Sequence, residues 1–302
     1  MVLRIFFYWE SIASLPKSKR LDMLFLCATA IGAAITSEGM SRYMIHYFGH
    51  GFQMVAYILF WLVTILTISL NIIVPVCLAV SNTRQFEDVI PIWIVAFVPG
   101  IVTASVGPAF AEMQSNLSHG RHMIYMTYLL LGFSMPQVFL ILATILARLL
   151  FKGFPPAPFV LSAYFPIAGI TLTSATLVEI AAASPRLWPA EEMGSPGLTA
   201  SLMALGIFFF GTAMFWCLFS SGGVVVVGWR ARGLPFSVAW WGFVFPWGLL
   251  AFTALRIGTL IDVEAFKIVG CIFSVTTAAM WSVCTWRTHT RFWTGRAFIH
   301  EI

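Results

Sequence analysis

Few residues in this chain are equipped for chemistry, and those few lie inside or at the ends of long apolar runs. Glu38 and Arg42 stand one helical turn apart and can simply pair. Glu112 and Glu179 lie near the outer ends of their runs and are the only candidates for proton coupling in a carrier. Arg256 ends its run a few turns after Pro246, where it either attracts anions to a mouth or snorkels to the interface. No run holds paired acids at its centre. There is no His/Glu cluster of metal spacing, no H-E-x-x-H, no Walker motif and no G-x-S-x-G. Cys27, Cys77, Cys217, Cys271 and Cys284 all fall in apolar stretches without a C-x-x-C pair, which reads as packing thiols. Neither an enzyme nor a metal site nor a resident cofactor is expected.

The chemistry that does stand out belongs to the backbone. Three proline–glycine breaks interrupt alternate apolar runs: Phe97-Val98-Pro99-Gly100, Phe165-Pro166-Ile167-Ala168-Gly169 and Phe243-Val244-Phe245-Pro246-Trp247-Gly248. A proline inside a helix removes one hydrogen bond and clashes with the carbonyl one turn back. In hydrocarbon that carbonyl must be satisfied within the protein or in a wet cavity. Three such breaks on one pattern predict a shared passage. Pro99, Gly100, Pro166, Gly169, Pro246 and Gly248 are its expected kink and lining residues. Half-helix N-termini at the breaks direct partial positive charge into a cavity, which suits anions better than cations.

The elements that must position these residues follow from composition. The chain has 302 residues, 60% hydrophobic and 10% charged, with 28 Phe and 12 Trp, far more apolar than a soluble domain. It is an all-α integral membrane protein by this measure, since a bilayer core takes about 20 apolar residues per helix. Eight such runs are expected, at roughly 21–43, 52–80, 90–112, 122–150, 159–184, 198–228, 236–258 and 264–288. The domain reading is an interfacial N-terminal segment 1–20, a membrane domain 21–288 and a C-terminal tail 289–302. The N-terminus does not read as a cleavable signal peptide. An even number of spans puts both termini on one side, and that side carries most of the 17 Lys and Arg, which predicts that it is cytoplasmic. The net charge of +5 is spread over short loops and does not predict nucleic-acid binding. The sequon Asn116-Leu117-Ser118 falls on the expected outer face.

The proline breaks fall in the third, fifth and seventh runs. Each pairs with a longer, smoother run, so the chain reads as helical hairpins in a ring, kinked helices inside and smooth ones outside. Pro75 and Pro136 show that proline alone is not confined to the inner set. Small and hydroxylated residues cluster on the third and fifth runs: Thr103, Ser105 and Gly107; Thr171, Thr173 and Ser174. Each hydroxyl either supports close helix packing or lines a polar track.

The stretch Trp240-Trp241-Gly242-Phe243-Val244-Phe245-Pro246, followed by Ala254-Leu255-Arg256-Ile257-Gly258, resembles the penultimate helix of the tellurite-resistance/dicarboxylate transporter family, also called the voltage-dependent anion channel family. Pro91-Ile92-Trp93 with Val98-Pro99, and Pro155-Pro156 leading to Phe165-Pro166, look like its fungal malate-permease branch. The likeness runs from about residue 21 onward. It implies hairpins around a central pore, often in a trimer, and a phenylalanine that occludes the pore. The motif places that gate on Phe245, with Phe243 as second choice. The family has ten spans in five hairpins; here the first run aligns with the family's third helix, so the first hairpin is expected to be lacking.

The resulting expectation is transport of a small anion, foremost a C4-dicarboxylate such as malate, by a multi-pass protein of the plasma membrane. Sulfite or inorganic-anion efflux, and a truncated homologue acting as a non-transporting membrane partner, are the alternatives.

Overall fold

The computed structural model describes residues 21–80, 89–237 and 240–293; the expected N-terminal segment 1–20 and residues 294–302 of the expected tail lie outside them. Among the described residues there are eight α-helices and no strand. They are α1 (Leu21–Phe48), α2 (His50–Val80), α3 (Val98–Glu112), α4 (Leu117–Lys152), α5 (Phe165–Leu187), α6 (Pro196–Arg230), α7 (Trp241–Leu260) and α8 (Glu264–Trp293). Short 3-10 turns, Pro91–Ala96 and Val160–Tyr164, precede α3 and α5. The protein is all-α and integral to the membrane.

Every expected run is helical, but two of the breaks take a different form from a kink. Pro99 is the second residue of α3 and Pro166 the second of α5. There the missing N–H costs nothing, because the first amides of a helix have no partner in any case. The apolar stretch upstream winds instead as a 3-10 turn. Trp93 N–H donates to the Ile90 carbonyl at 3.0 Å, Phe97 N–H to Ile94 at 2.9 Å, and Ser162 N–H to Phe159 at 2.9 Å. Only Pro246, of the three, lies inside its helix.

Among the described residues, six helical stretches are long and apolar enough to cross a bilayer, beginning at Gly51, Leu117, Val160, Pro196, Trp241 and Glu264. The other two expected spans differ for separate reasons. Ser37 to Arg42 dilutes α1, and there Arg42 pairs with Glu38. Helix α3 has 15 residues, about 22 Å of rise, and reaches bilayer thickness only with its 3-10 turn. Burial differs from helix to helix. The most apolar window of Val160–Leu187 is 83% buried and that of Trp241–Leu260 is 44% buried, against 17% for α8 and 28% for α2. Twelve residues of α3 are buried, from Val98 to Ala111.

The chain divides into two compact units, Met1–Arg148 with Ala175–Ala204 and Leu149–Ser174 with Leu205–Ile302. In the first, α1, α2 and α3 pack together, and Leu24, Cys27, Val74 and Ala96 form one apolar cluster. Helices α3 and α4 run antiparallel: Gly107 abuts Thr127 and Gly100 abuts Ser134. Asn116 caps α4, its side-chain oxygen accepting the Ser118 N–H at 3.0 Å. The far ends are tied by arginines on helix C-terminal carbonyls. Arg186 donates to the carbonyls of Glu112 and Gln114, and Arg121 to that of Leu187.

In the second unit α7 and α8 form a tight hairpin. A side chain at Gly258 would meet the Lys267 backbone, and one at Gly270 the Leu255 backbone. The turn places Asp262 at φ +53°, and Lys267 clamps both Asp262 (2.8 Å) and Glu264 (2.7 Å), holding the Asp262 carboxyl below its usual range. Helix α6 continues unbroken through Gly222-Gly223, and Phe154 packs its ring where a Gly223 side chain would stand.

An added methyl at Gly100 would sit 1.9 Å from Ser134 Oγ and 2.8 Å from Asn71 Nδ2. Gly100→Ala is therefore expected to destabilise the protein by about 1–3 kcal/mol, read as a lower Tm in detergent. Gly132→Ala, with nothing within 4 Å, is expected to be neutral or slightly stabilising. Equal Tm for the two variants would remove the close-approach account of Gly100.

Candidate functional site

In the second unit the start of α5 meets the first half of α7, so two of the three breaks come together. Tyr164, the last residue of its 3-10 turn, is buried and stands edge-on to Phe243, ring centroids 4.9 Å apart. Phe243 stacks on Trp247 at 4.4 Å, and Trp247 meets Phe273 of α8 at 5.1 Å. Gly242 leaves room for the Phe165 ring, 3.2 Å from where a Cβ would be. Four aromatic rings thus brace the segment around Pro246, each pair in a favourable offset or edge geometry. The Tyr164 hydroxyl and Ser221 Oγ of α6 are hydrogen-bonded at 3.1 Å, and Ser220 donates to the Ala163 carbonyl at 2.7 Å. These bonds secure the irregular backbone ahead of Pro166, as water would elsewhere.

The two gate candidates part company here. Phe243 is 7% exposed and held between Tyr164 and Trp247, whereas Phe245 is 40% exposed. Pro166, Gly169 and Pro246 are buried and Gly248 is half-buried. Buried donors in this unit remain unspent: Trp247 Nε1, Thr253 Oγ1, Thr277 Oγ1 and Ser162 Oγ, with Ser237 Oγ besides, have no hydrogen-bond partner among the described residues. An N–H and hydroxyls of this kind are costly in a dry interior unless something accepts from them. Arg256, half-buried near the end of α7, is engaged by other groups of the protein.

The first unit holds Pro99, Gly100, Glu112 and Glu179. Around Pro99 and Gly100 runs a buried polar seam. The hydroxyls of Thr67 and Thr103 are paired at 2.7 Å, and Asn71 Nδ2 donates to Ser134 Oγ at 2.9 Å, leaving Asn71 Oδ1 without a donor. Glu112 is exposed at the end of α3, and Glu179 is half-buried and already interacting with the protein. The hydroxyls that were open between packing and lining are bonded internally. Ser105 donates to Val102, Thr171 to Ile167, Thr173 to Gly169 and Ser174 to the Gly206 carbonyl of α6.

The sequence reading singled out no role for Tyr164, Trp247, Ser221 or Asn71. A signal existed for Asn71, an amide deep in the apolar run of α2. None existed for Tyr164, whose partner is on another helix. Among the described residues no group of three His, Cys, Asp or Glu side chains is placed to hold a metal. A double-mutant cycle over Tyr164→Phe and Ser221→Ala is expected to give a coupling of about 0.5–1.5 kcal/mol in thermal stability. A coupling near zero would show that the bond does not secure the break.

No solved structure gives a significant match to the chain. Three sulfite efflux pumps are similar to it over 228 residues: that of Arthroderma otae at 25% identity, and those of Arthroderma benhamiae and Trichophyton rubrum at 24% each. Each match takes in 74% of this chain and 59% of the relative, so the chain spans less than two thirds of the length of the curated relatives it matches. The family described as voltage-dependent anion channel matches residues 1–289. With nearly the whole chain matched, and with the expected helices in place, the protein belongs to the voltage-dependent anion channel family.

Proposed function

We propose that the protein passes a small anion across the membrane, with sulfite the first substrate to test. The observation that carries this reading is family membership, together with similarity to three sulfite efflux pumps. Malate is the second reading, favoured by the likeness of the segments at Pro91–Trp93, Pro99 and Pro166 to the malate-permease branch. The unspent donors of Trp247, Thr253, Thr277 and Ser162 suit an anion of either kind, because N–H and O–H groups in low dielectric stabilise negative charge.

In this proposal the helices that carry Pro99, Pro166 and Pro246 surround the passage, within a ring of hairpins. The membrane domain spans 21–288, both termini are cytoplasmic, the membrane is the plasma membrane and the assembly is a homotrimer. Arg256 draws anions to one mouth, and Glu179 or Glu112 would serve a carrier that moves a proton. Phe245 is the gate. A ring that blocks and releases a path must be able to swing. Phe245 has the uncovered ring, while Phe243 is committed to its stack with Trp247.

Proteoliposomes containing the purified chain are expected to show sulfite flux above protein-free vesicles, and Phe245→Ala several-fold more. Phe243→Ala is expected instead to lower Tm, by about 3–5 kcal/mol of lost stability. Equal flux from wild type and Phe245→Ala would remove the gate. Flux of malate but not sulfite would decide for the second substrate, and no flux from either protein would favour a non-transporting membrane partner.

A further inference from the structure

Phe245 is carried by the first turn of α7, and that turn is weakly tied to the helix that follows it. Pro246 has no N–H to offer the Gly242 carbonyl, so residues 241–245 have one backbone bond fewer to the rest of α7. Side chains span the break instead. Phe243 precedes it and Trp247 follows it, one turn apart, and their rings stack at 4.4 Å. The Tyr164 ring stands edge-on to both, 4.9 Å from Phe243 and 6.4 Å from Trp247. Tyr164 and Phe243 are buried, and the Tyr164 hydroxyl is hydrogen-bonded to Ser221 Oγ of α6 at 3.1 Å. The orientation of the first turn is therefore set through Phe243 and Tyr164 by another helix, and less by its own backbone.

Phe245 stands two residues from Phe243, about 200° round the helix axis, on the side that these rings leave uncovered. A tilt or rotation that takes Phe243 out of its stack must carry Phe245 with it, because both belong to one turn. We infer that Tyr164 is a positioning residue for the gate. Bonded to Ser221, it holds Phe243, and with it the turn that keeps Phe245 in the occluding position. The inference rests on the reading of Phe245 as the gate of an anion passage, and adds what fixes that gate at rest. A contact biases an equilibrium between closed and open states only by what it loses on opening. A neutral hydroxyl pair lost in this way shifts the balance by about two- to tenfold.

The test sets Tyr164→Phe and Ser221→Ala, singly and together, in the full chain and again in the Phe245→Ala background. Sulfite and malate flux into proteoliposomes is measured beside amide hydrogen exchange of the same proteins in detergent. Each single variant is expected to raise flux by about two- to tenfold, and the pair to raise it no further, since both remove one bond. Neither is expected to change flux once residue 245 is alanine. A merely structural role would change flux by the same factor in both backgrounds, and that result would overturn the proposal, as would unchanged flux in the full chain. The amides of residues 245–249 that bond back into the first turn are expected to exchange several-fold faster in either variant, with α2 at its wild-type rate. Wild-type exchange throughout, or equal acceleration in α2, would also overturn it. Should no protein pass either anion, Phe245→Ala included, the anion passage itself falls, and exchange alone decides whether Tyr164 fixes the turn. Should Tyr164→Phe fail to fold, Ser221→Ala removes the same hydrogen bond and leaves the ring stack untouched.

Discussion

A backbone amide or carbonyl freed in hydrocarbon has no water to turn to, and the rest of this structure is arranged around that constraint. It explains why the long apolar runs are helical. It also explains what happens at the prolines. Pro99 and Pro166 do not interrupt helices; they begin them, at positions where an N–H would have no partner anyway. The 3-10 turns ahead of them satisfy the intervening backbone with bonds of 2.9–3.0 Å. Where that local repair falls short, neighbouring helices supply the donors, as Ser220 does for the Ala163 carbonyl.

Close approach is the second consequence. Helices that satisfy each other's polar groups must come near one another, and hydrocarbon solvent adds no hydrophobic push between them. Gly100 and Gly107 give α4 that access to α3, with Ser134 and Thr127 seated where side chains would otherwise stand. Gly258 and Gly270 do the same for α7 and α8. The hydroxyls of Ser105, Thr171, Thr173 and Ser174 then bond within the protein. Some donors are left over, among them those of Trp247, Thr253, Thr277 and Ser162.

Much of this was legible in the chain. Each of the eight runs holds an α-helix, although those of the third, fifth and seventh runs begin five to eight residues later than expected. The broken, small-residue run of α5 was expected inside, and its 83% buried window agrees; the smooth α8 was expected outside, and only 17% of its window is buried. The tryptophan–proline motif near Pro246 pointed to the family to which the chain belongs. Less legible was the form of the breaks, since a proline in an apolar run reads equally as a kink or as a helix start. The choice depends on whether the preceding turn finds partners. The brevity of α3 and the polar dilution of α1 likewise emerge only when helix ends are known.

Composition and run length alone determined an all-α membrane protein, because apolar segments of this length can satisfy their backbone only by winding as helices. Proline position alone determined where three of the apolar runs would break, and the structure has two of these breaks at a helix start and one inside a helix. Only the tertiary structure decided which ring each aromatic meets and which carbonyl each hydroxyl caps. Phe243 and Phe245 are two residues apart on one helix. One is locked against Tyr164 and Trp247 and the other is uncovered, because they point to different sides of a helix whose neighbours come from distant parts of the chain. The same holds for Asn71 and Ser134: nothing near either in sequence announces the other, and only the packing of α2 and α4 against Gly100 of α3 brings them to 2.9 Å.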